Sequence, residues 1–240
     1  MILLRSILFN ALFYIGTVIL CILGLPVLLA TRRVGAYFGH FWALWTLWLA
    51  RWTVGLHYEV RGRENLPAGP AIIAMKHQSA WDTFAAAALF DDPAIIVKRE
   101  LLAIPFYGWY LRKAGMIGID RDVGAAALRR MLKAARTAVA LGRSILIFPE
   151  GTRTLVGSDA PYHPGVGALA RDLKLPLVPV ALNSGLFWGR RHFMKRPGLI
   201  VVEILPPLSG DIDRRRITDE LRGRIEAATA RLIAAGTALR

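Results

Sequence analysis

The chain has 240 residues, too few for two full-sized domains, so one well-buried domain with an appendage is expected. Hydrophobic residues make up 55% of it and the mean hydropathy is +0.41, which is above the usual range of a soluble domain and indicates an apolar segment. The formal charge of +14 leaves nucleic acid or an anionic membrane as partner. The single cysteine, Cys21, excludes an intrachain disulfide and a cysteine-based metal cluster.

The first predicted element is an uncharged apolar segment, residues 6–31. As a helix its 26 residues would be roughly 39 Å long, against about 30 Å for the hydrocarbon core of a bilayer. A cleaved signal peptide is the alternative, but the run is longer than the roughly 7–15 apolar residues of such a peptide, and more uncharged sequence follows. The segment is therefore predicted to lie in lipid.

A second membrane-associated helix is predicted after Arg32 and Arg33, beginning with the uncharged residues 34–50. Four tryptophans at helical spacing favour the membrane interface, with burial against the soluble domain as the alternative: Trp42, Trp45, Trp48 and Trp52. We interpret residues 1–55 as a two-helix membrane anchor. Two full spans would put Arg32 and Arg33 across the membrane from the remaining chain. The charges therefore favour one spanning and one interfacial helix, or a hairpin in a single leaflet.

Past Leu56, short apolar blocks alternate with amphipathic stretches, which is typical of an α/β domain. We predict that residues 56–240 form one such domain, with a mixed, largely parallel sheet flanked by helices. Strands are predicted at 57–61, 71–74, 94–98, 116–119, 145–148, 177–182 and 199–204. Helices are predicted at 81–90, 106–113, 123–141, 166–172 and 214–235.

The stretch "MKHQSAWDTF", residues 75–84, places His77 and Asp82 five positions apart at a predicted strand-to-helix junction. Ser79, followed three residues later by Asp82, is typical of a helix N-cap with an acidic residue in the first turn. If His77 precedes the helix, its imidazole can turn back toward Asp82, which would hold the ring in one tautomer and favour the imidazolium. The spacing by itself leaves both a simple helix cap and a catalytic pair open.

The stretch "IFPEGTRT", residues 147–154, follows a predicted strand and is broken by proline and glycine. Glu150, Thr152 and Arg153 would project from a turn with exposed backbone N–H groups. Such a turn can bind a phosphate or steady an oxyanion. An ordinary turn without function is the alternative.

The stretch "GMIGIDR", residues 115–121, ends another predicted strand with an aspartate and an arginine. The guanidinium of Arg121 offers a bidentate fork that suits phosphate. A surface salt bridge is the alternative.

In this order the motifs resemble those of the 1-acyl-sn-glycerol-3-phosphate acyltransferases, within the glycerolipid acyltransferase superfamily. "HQSAWD" (77–82) matches the HxxxxD block, "GMIGIDR" the second block, "FPEGTR" (148–153) the third, and "VPVAL" (178–182) the proline-containing fourth. The resemblance runs from about His57 to Glu203. The order and spacing of the blocks make it specific.

The resemblance implies transfer of a fatty acyl group from a thioester of coenzyme A or acyl carrier protein to a lysophospholipid hydroxyl. His77 would take the proton of the sn-2 hydroxyl of 1-acyl-sn-glycerol-3-phosphate as that oxygen attacks the thioester. Asp82 would orient and support His77, and phosphatidic acid would form without a covalent acyl-enzyme. Neither a metal nor a resident cofactor is implied.

The resemblance also implies a pocket for the acceptor phosphate, formed within the second and third blocks by Arg121, Glu150, Gly151, Thr152 and Arg153. Glu150 cannot contact phosphate favourably and is expected to position an arginine or a glycerol hydroxyl. Pro179 is expected to shape the pocket or the acyl path. His163 stands where the family commonly has lysine and is left outside the site.

The expected partners are membrane lipids, lysophosphatidic acid and the acyl donor. Nucleic acid is not expected, because the chain has no zinc-finger spacing or aromatic RNA-binding motif. The expected location is a bacterial-type inner (cytoplasmic) membrane, with the catalytic domain facing the cytoplasm, where acyl thioesters are made. The alternatives are an acyltransferase for another lysophospholipid or a lyso-aminolipid, and a non-catalytic membrane lipid-binding protein.

Overall fold

A computed structural model describes residues 1–120, 124–208 and 216–238. Within these residues seven strands form one sheet in the order β1-β7-β6-β2-β5-β3-β4. They are β1 (Leu56–Arg61), β2 (Ile72–Met75), β3 (Ala94–Lys98), β4 (Ile117–Ile119), β5 (Ile145–Ile147), β6 (Leu177–Leu182) and β7 (Gly198–Ile204). All neighbouring strands are parallel except β6 and β7. This confirms the mixed, largely parallel sheet.

The helices of the α/β domain cover both faces of the sheet. They are α3 (Trp81–Leu89), α4 (Arg99–Ala103), α5 (Tyr107–Lys113), α6 (Gly124–Ala140), α7 (Gly165–Leu173) and α8 (Ile217–Ala238). Because both faces are covered, every residue of the central strands β2 and β6 is buried, and both strands are apolar throughout. The sequence did not predict α4, which is too short to show a helical period. The predicted starts of α6 and α8, at 123 and 214, lie outside the described residues.

Two N-terminal helices, α1 (Ile2–Leu23) and α2 (Arg32–Val54), precede the sheet. Among the described residues only α1 is long and apolar enough to cross a membrane. Of the two helices expected in the membrane anchor, α1 is therefore the one apolar enough to span a bilayer, and α2 is not. The second helix differs because one of its faces is buried in the same core as the sheet, through Ala43, Leu47, Ala50 and Val54.

The four tryptophans of the second helix divide between the two alternatives. Trp42 and Trp45 pack against the core, and Trp42 donates through Nε1 to Thr17 Oγ1 of α1 at 3.1 Å. Trp48 and Trp52 are 56% and 67% exposed. The four indoles therefore do not lie on one face of α2. Two pack between the hairpin formed by α1 and α2 and the core of the domain, and two are exposed.

The apolar helix α1 lies along the domain and is held near both ends. At its start Asn10 Oδ1 accepts from Lys195 Nζ at 2.8 Å, and Ser6 Oγ accepts from Lys195 N at 2.9 Å. Toward its end Tyr110 OH donates to the Cys21 carbonyl at 2.6 Å. Its outward face is apolar and exposed, through residues that include Leu4, Leu8, Leu12, Ile15, Ile19 and Leu23.

Candidate active site

His77 lies just beyond the carboxyl end of β2, at the edge where the parallel strands of an α/β sheet usually build a site. Its Nδ1 is 3.0 Å from Asp82 Oδ2. The Asp82 side chain is fully buried, and that of His77 is 12% exposed. An ionised carboxylate can only accept hydrogen bonds, so Nδ1 carries the proton and Nε2 is the acceptor left for a substrate.

Asp82, in the first turn of α3, also holds the loop that precedes this helix. Its Oδ2 accepts from the backbone N–H groups of Gln78 and Ser79, both at 2.7 Å. Ser79 Oγ accepts from Trp81 N at 3.1 Å, and the N-cap residue is Ala80, one position later than expected. One carboxylate oxygen of Asp82 therefore contacts both the imidazole of His77 and the backbone of the loop before the helix.

The other oxygen of Asp82 is held by a residue that the sequence did not single out. Ser184, in the turn after β6, donates through Oγ to Asp82 Oδ1 at 2.5 Å. Beside it, Gly185 N donates to Gln78 Oε1 at 3.1 Å. These contacts arise because β6 pairs with β2, so no local pattern could have predicted them.

The FPEGTR turn packs directly on the loop that carries His77. The Phe148 ring stacks on the His77 imidazole, with the ring centroids 4.1 Å apart. Thr154 donates through its backbone N and its Oγ1 to the His77 carbonyl, at 2.8 and 3.1 Å. Gly151 adopts a φ of +64°, in the left-handed region that favours glycine, and this lets the chain turn back.

A cavity of about 530 Å³ opens beside His77, and Gly151, Thr152 and Arg153 line it. In the described part of the chain Arg153 has no carboxylate partner, and the backbone N–H groups of Thr152 and Arg153 have no acceptor. The wall can therefore bind an anion. Arg121 lies outside the described residues.

The basic residue His163, left outside the site by the sequence, also lines this cavity, as do Arg190 and Arg191 from the loop after β6. The sequence singled out neither arginine. Over residues 1–120, 124–208 and 216–238, no group of three His, Cys, Asp or Glu side chains is placed to hold a metal ion.

Glu150 is not where it was expected, because its carboxylate points into the protein. Its Oε1 lies 3.1 Å from Lys76 Nζ and accepts from His77 N at 3.2 Å. Among the described residues no arginine contacts it, and it does not line the cavity. Burial raises the pKa of Glu150 to about 7, although Lys76 and two backbone N–H groups act to lower it.

Pro179 lies in the middle of β6, where it is buried and pairs with Ala74 of β2. Its carbonyl accepts from Leu205 N at 2.9 Å. Proline lacks an N–H group, so its place in an interior strand is unusual. It is not part of the cavity wall, and any effect on the pocket would act through the sheet.

A second cavity of about 400 Å³ lies between the sheet and the hairpin of α1 and α2. It shares the wall residues Thr83, Val97 and Leu101 with the cavity beside His77, so the two spaces adjoin. Its apolar wall residues include Phe38, Trp42, Phe84, Tyr107 and Met116, and its charged ones are Arg32, Arg33, Asp91, Asp92 and Arg143.

Comparison with known proteins identifies the family. A family model described as acyltransferase matches residues 57–183. The 1-acyl-sn-glycerol-3-phosphate acyltransferase of Pseudomonas aeruginosa is 40% identical over 186 residues, which is 78% of this chain and 72% of that protein. The enzyme of the same name from Limnanthes alba is 33% identical over 181 residues, which is 75% of this chain and 63% of that protein.

The fold has a counterpart among solved structures. The 1-acyl-sn-glycerophosphate (LPA) acyltransferase of Thermotoga maritima superposes with a TM-score of 0.80 at 22% identity, over 97% of this chain and 98% of that one. At that identity the likeness establishes the shared fold, while the family model and the more similar sequences establish the relationship. The chain belongs to the 1-acyl-sn-glycerol-3-phosphate acyltransferase family and is an O-acyltransferase.

Proposed function

We propose that the chain transfers a fatty acyl group from acyl-CoA or acyl carrier protein to the sn-2 hydroxyl of 1-acyl-sn-glycerol-3-phosphate, giving phosphatidic acid. The observation that carries this proposal is the His77–Asp82 pair, which opens on a cavity whose wall holds Arg153, and Arg153 has no carboxylate partner among the described residues. A base beside an anion-binding wall suits an acceptor that has a hydroxyl and a phosphate on neighbouring carbons.

In the proposed reaction His77 Nε2 takes the proton of the acceptor hydroxyl as that oxygen attacks the thioester carbonyl. The tetrahedral intermediate then collapses and expels the thiolate, which receives the proton from the imidazolium. Asp82 holds the ring through Nδ1 at 3.0 Å and stabilises the imidazolium. The substrate hydroxyl is itself the nucleophile, so no acyl-enzyme is needed.

The acceptor phosphate is assigned to the side of the cavity formed by the FPEGTR turn. Arg153 would neutralise it, and the backbone N–H groups of Thr152 and Arg153 are positioned on the same wall to donate. Gly151 contributes by permitting the turn. Arg121, expected as a second cation, follows Asp120, which lines this cavity.

A fatty acyl chain needs apolar space next to the reacting carbonyl. The apolar walls of the adjoining cavity supply such space, because that cavity shares Thr83, Val97 and Leu101 with the cavity beside His77. We assign the acyl chain of the thioester donor to it. Aromatic and aliphatic walls favour a hydrocarbon through burial of apolar surface.

The exposed apolar face of α1 supports membrane association, since it would otherwise lie in water. Contacts near both ends of α1 hold it along the domain, which favours a hairpin resting in one leaflet over a helix that spans the bilayer. We propose the cytoplasmic face of a bacterial inner membrane. There a lysophospholipid can enter the site from the leaflet and the thioester from the cytoplasm.

The test is an assay of the purified full chain in neutral detergent micelles, with acyl-CoA or acyl carrier protein as donor. Lysophosphatidic acid is compared with lysophospholipids that carry larger headgroups and with a lyso-aminolipid. We expect the highest kcat/KM with lysophosphatidic acid. A higher kcat/KM with another acceptor would identify that lipid as the preferred substrate. Lipid binding without turnover of any acceptor would favour the non-catalytic alternative.

The contact between Ser184 and Asp82 predicts the effect of Ser184→Ala. The change leaves Asp82 Oδ1 buried without a donor, so the free energy of unfolding should fall by about 1–3 kcal/mol, and kcat should fall because His77 is held less firmly. Urea unfolding and steady-state kinetics would measure both. Ser158→Ala is the matched control, since Ser158 Oγ donates only to the carbonyl of Leu155 in an exposed turn. Equal effects of the two changes would contradict the prediction.

A further inference from the structure

Two ion pairs that share the buried Lys76 connect helix α8 with the loop that carries His77. Lys76 Nζ lies 2.5 Å from Glu226 Oε1 of α8 and 3.1 Å from Glu150 Oε1. The same oxygen of Glu150 accepts from His77 N at 3.2 Å. Tyr162 OH donates to Glu226 Oε1 at 2.9 Å. The four side chains, which we call the Lys76 cluster, therefore end at the backbone of His77.

The position of Lys76 bears directly on the direction of His77. Lys76 follows β2 and continues its ladder, since Lys76 N donates to the Val180 carbonyl at 2.9 Å. On extended backbone successive side chains point to opposite sides. Fixing Lys76 in the interior therefore fixes the side on which His77 leaves the sheet.

Lys76 can be held there only by its carboxylate partners. The side chains of Lys76 and Glu150 are 2% and 0% exposed, and that of Glu226 is 30% exposed. A buried ammonium without a counter-charge is strongly unfavourable. Glu226 provides the shorter of its two ion pairs and comes from an element that is far away in the sequence.

The charges of the Lys76 cluster are unequal, since two carboxylates face one ammonium. With every group ionised the cluster carries one net negative charge behind the backbone of His77. The other charged or titratable groups that face it are Asp82 across His77 and Arg222, one turn earlier on α8, whose charge acts on Tyr162. Glu150 Oε2 has no hydrogen-bond partner in the described part of the chain, and burial raises the pKa of Glu150 to about 7.

We propose that Glu226 is a positioning residue for His77, acting through Lys76 and Glu150, and that its negative charge favours the imidazolium formed when His77 takes a proton. The catalytic part of this inference rests on the proposed function, in which His77 is the general base. By this inference α8, which contributes no residue to the cavity beside His77, takes part in catalysis.

The test compares the full-length wild type with Glu226→Gln in neutral detergent micelles. We expect kcat to fall about tenfold with both KM values within about twofold of the wild type. Because one negative charge is lost, the acidic limb of the kcat/KM–pH profile should move to lower pH by roughly half a unit. Glu220→Gln is the matched control, since Glu220 lies on the same helix in an exposed pair with Arg224 and should change none of these values.

The shape of the pH profile separates positioning from simple loss of folded protein. A smaller active fraction scales the rate equally at every pH, so a Glu226→Gln profile that superimposes on the wild type after scaling would overturn the proposal. If Glu226→Gln does not fold, Tyr162→Phe is used, which loosens the same carboxylate but keeps its charge. It should lower kcat and leave both KM values unchanged, and an unchanged kcat would overturn the proposal.

A measurement without substrate separates this proposal from the proposed function. NMR of the ligand-free chain with labelled histidine follows the five histidines, and His77→Ala identifies the signal of His77. Glu226→Gln should move the midpoint of that titration to lower pH, in the same direction as the rate profile. The titration midpoint of His77 could move in Glu226→Gln while the wild type forms no phosphatidic acid. That result would contradict lysophosphatidic acid as the acceptor but would still support the electrostatic role of the Lys76 cluster. An unmoved midpoint would overturn the cluster's electrostatic role whatever the acceptor.

Discussion

Replacing His77 by alanine is expected to lower kcat by about 10²–10⁴-fold, the usual contribution of a general base. In the proposed reaction this imidazole is the base; its Nδ1 is held by the buried Asp82 and its ring stacks on Phe148. Without it the acceptor hydroxyl must attack the thioester while still protonated. The measurement is the initial rate of phosphatidic acid formation at saturating concentrations of both substrates.

His57→Ala is the matched control for this change, because His57 is exposed on β1 at the edge of the sheet. It should leave kcat within about twofold of the wild type. Unfolding curves for both variants show whether the protein remains folded. Undiminished turnover by folded His77→Ala would remove His77 as the base.

Replacing Arg143 by methionine is expected to lower the free energy of unfolding by about 3–5 kcal/mol. The Arg143 side chain is 4% exposed and lies 3.3 Å from Asp92 Oδ1. Its three nitrogens donate to four backbone carbonyls, those of Asp92, Pro93, Ala114 and Gly115. Methionine fills similar volume but donates no hydrogen bond, so the four buried carbonyls lose this donor, while the Asp92 carboxylate keeps its pair with Arg32. Denaturant unfolding measures the loss.

Arg136→Met is the control, since it makes the same change on the exposed surface of α6. Arg136 pairs with Asp172 where solvent screens the charges, so little change in stability is expected. If both variants lost the same free energy of unfolding, the hydrogen bonds from Arg143 to the buried carbonyls would not stabilise the fold more than a surface ion pair does.

The strands were predictable because their signal is local. The bounds of all seven strands lie within one residue of the predicted ones. A short apolar block bounded by Gly, Pro and polar residues predicts a buried strand whatever its position in the sheet. The extent of the membrane anchor was less predictable. Composition detects apolar residues but not their neighbours, and the apolar face of α2 turned out to pack on the sheet.

The geometry of the candidate site was only partly predictable from the sequence. His77 and Asp82 are near in sequence, and Thr152 and Arg153 follow the end of a strand that adjoins β2, so these residues meet at one edge. Glu150 shares the motif with Arg153 but turns inward. Its partner Lys76 is buried, and nothing in the pattern of a turn says which of its side chains will face solvent.

The sequence by itself determined the elements, the apolar first helix and the motifs that identify the family, because each depends on residues within a few positions of one another. Only the tertiary structure decided that Ser184 donates a hydrogen bond to Asp82 and that Arg143 donates to four backbone carbonyls. It also decided that Glu226 reaches Lys76. The physical reason is that a buried charge or hydrogen-bonding group must find its partner in space, and the packing of the sheet and helices determines which distant residue is close enough to serve.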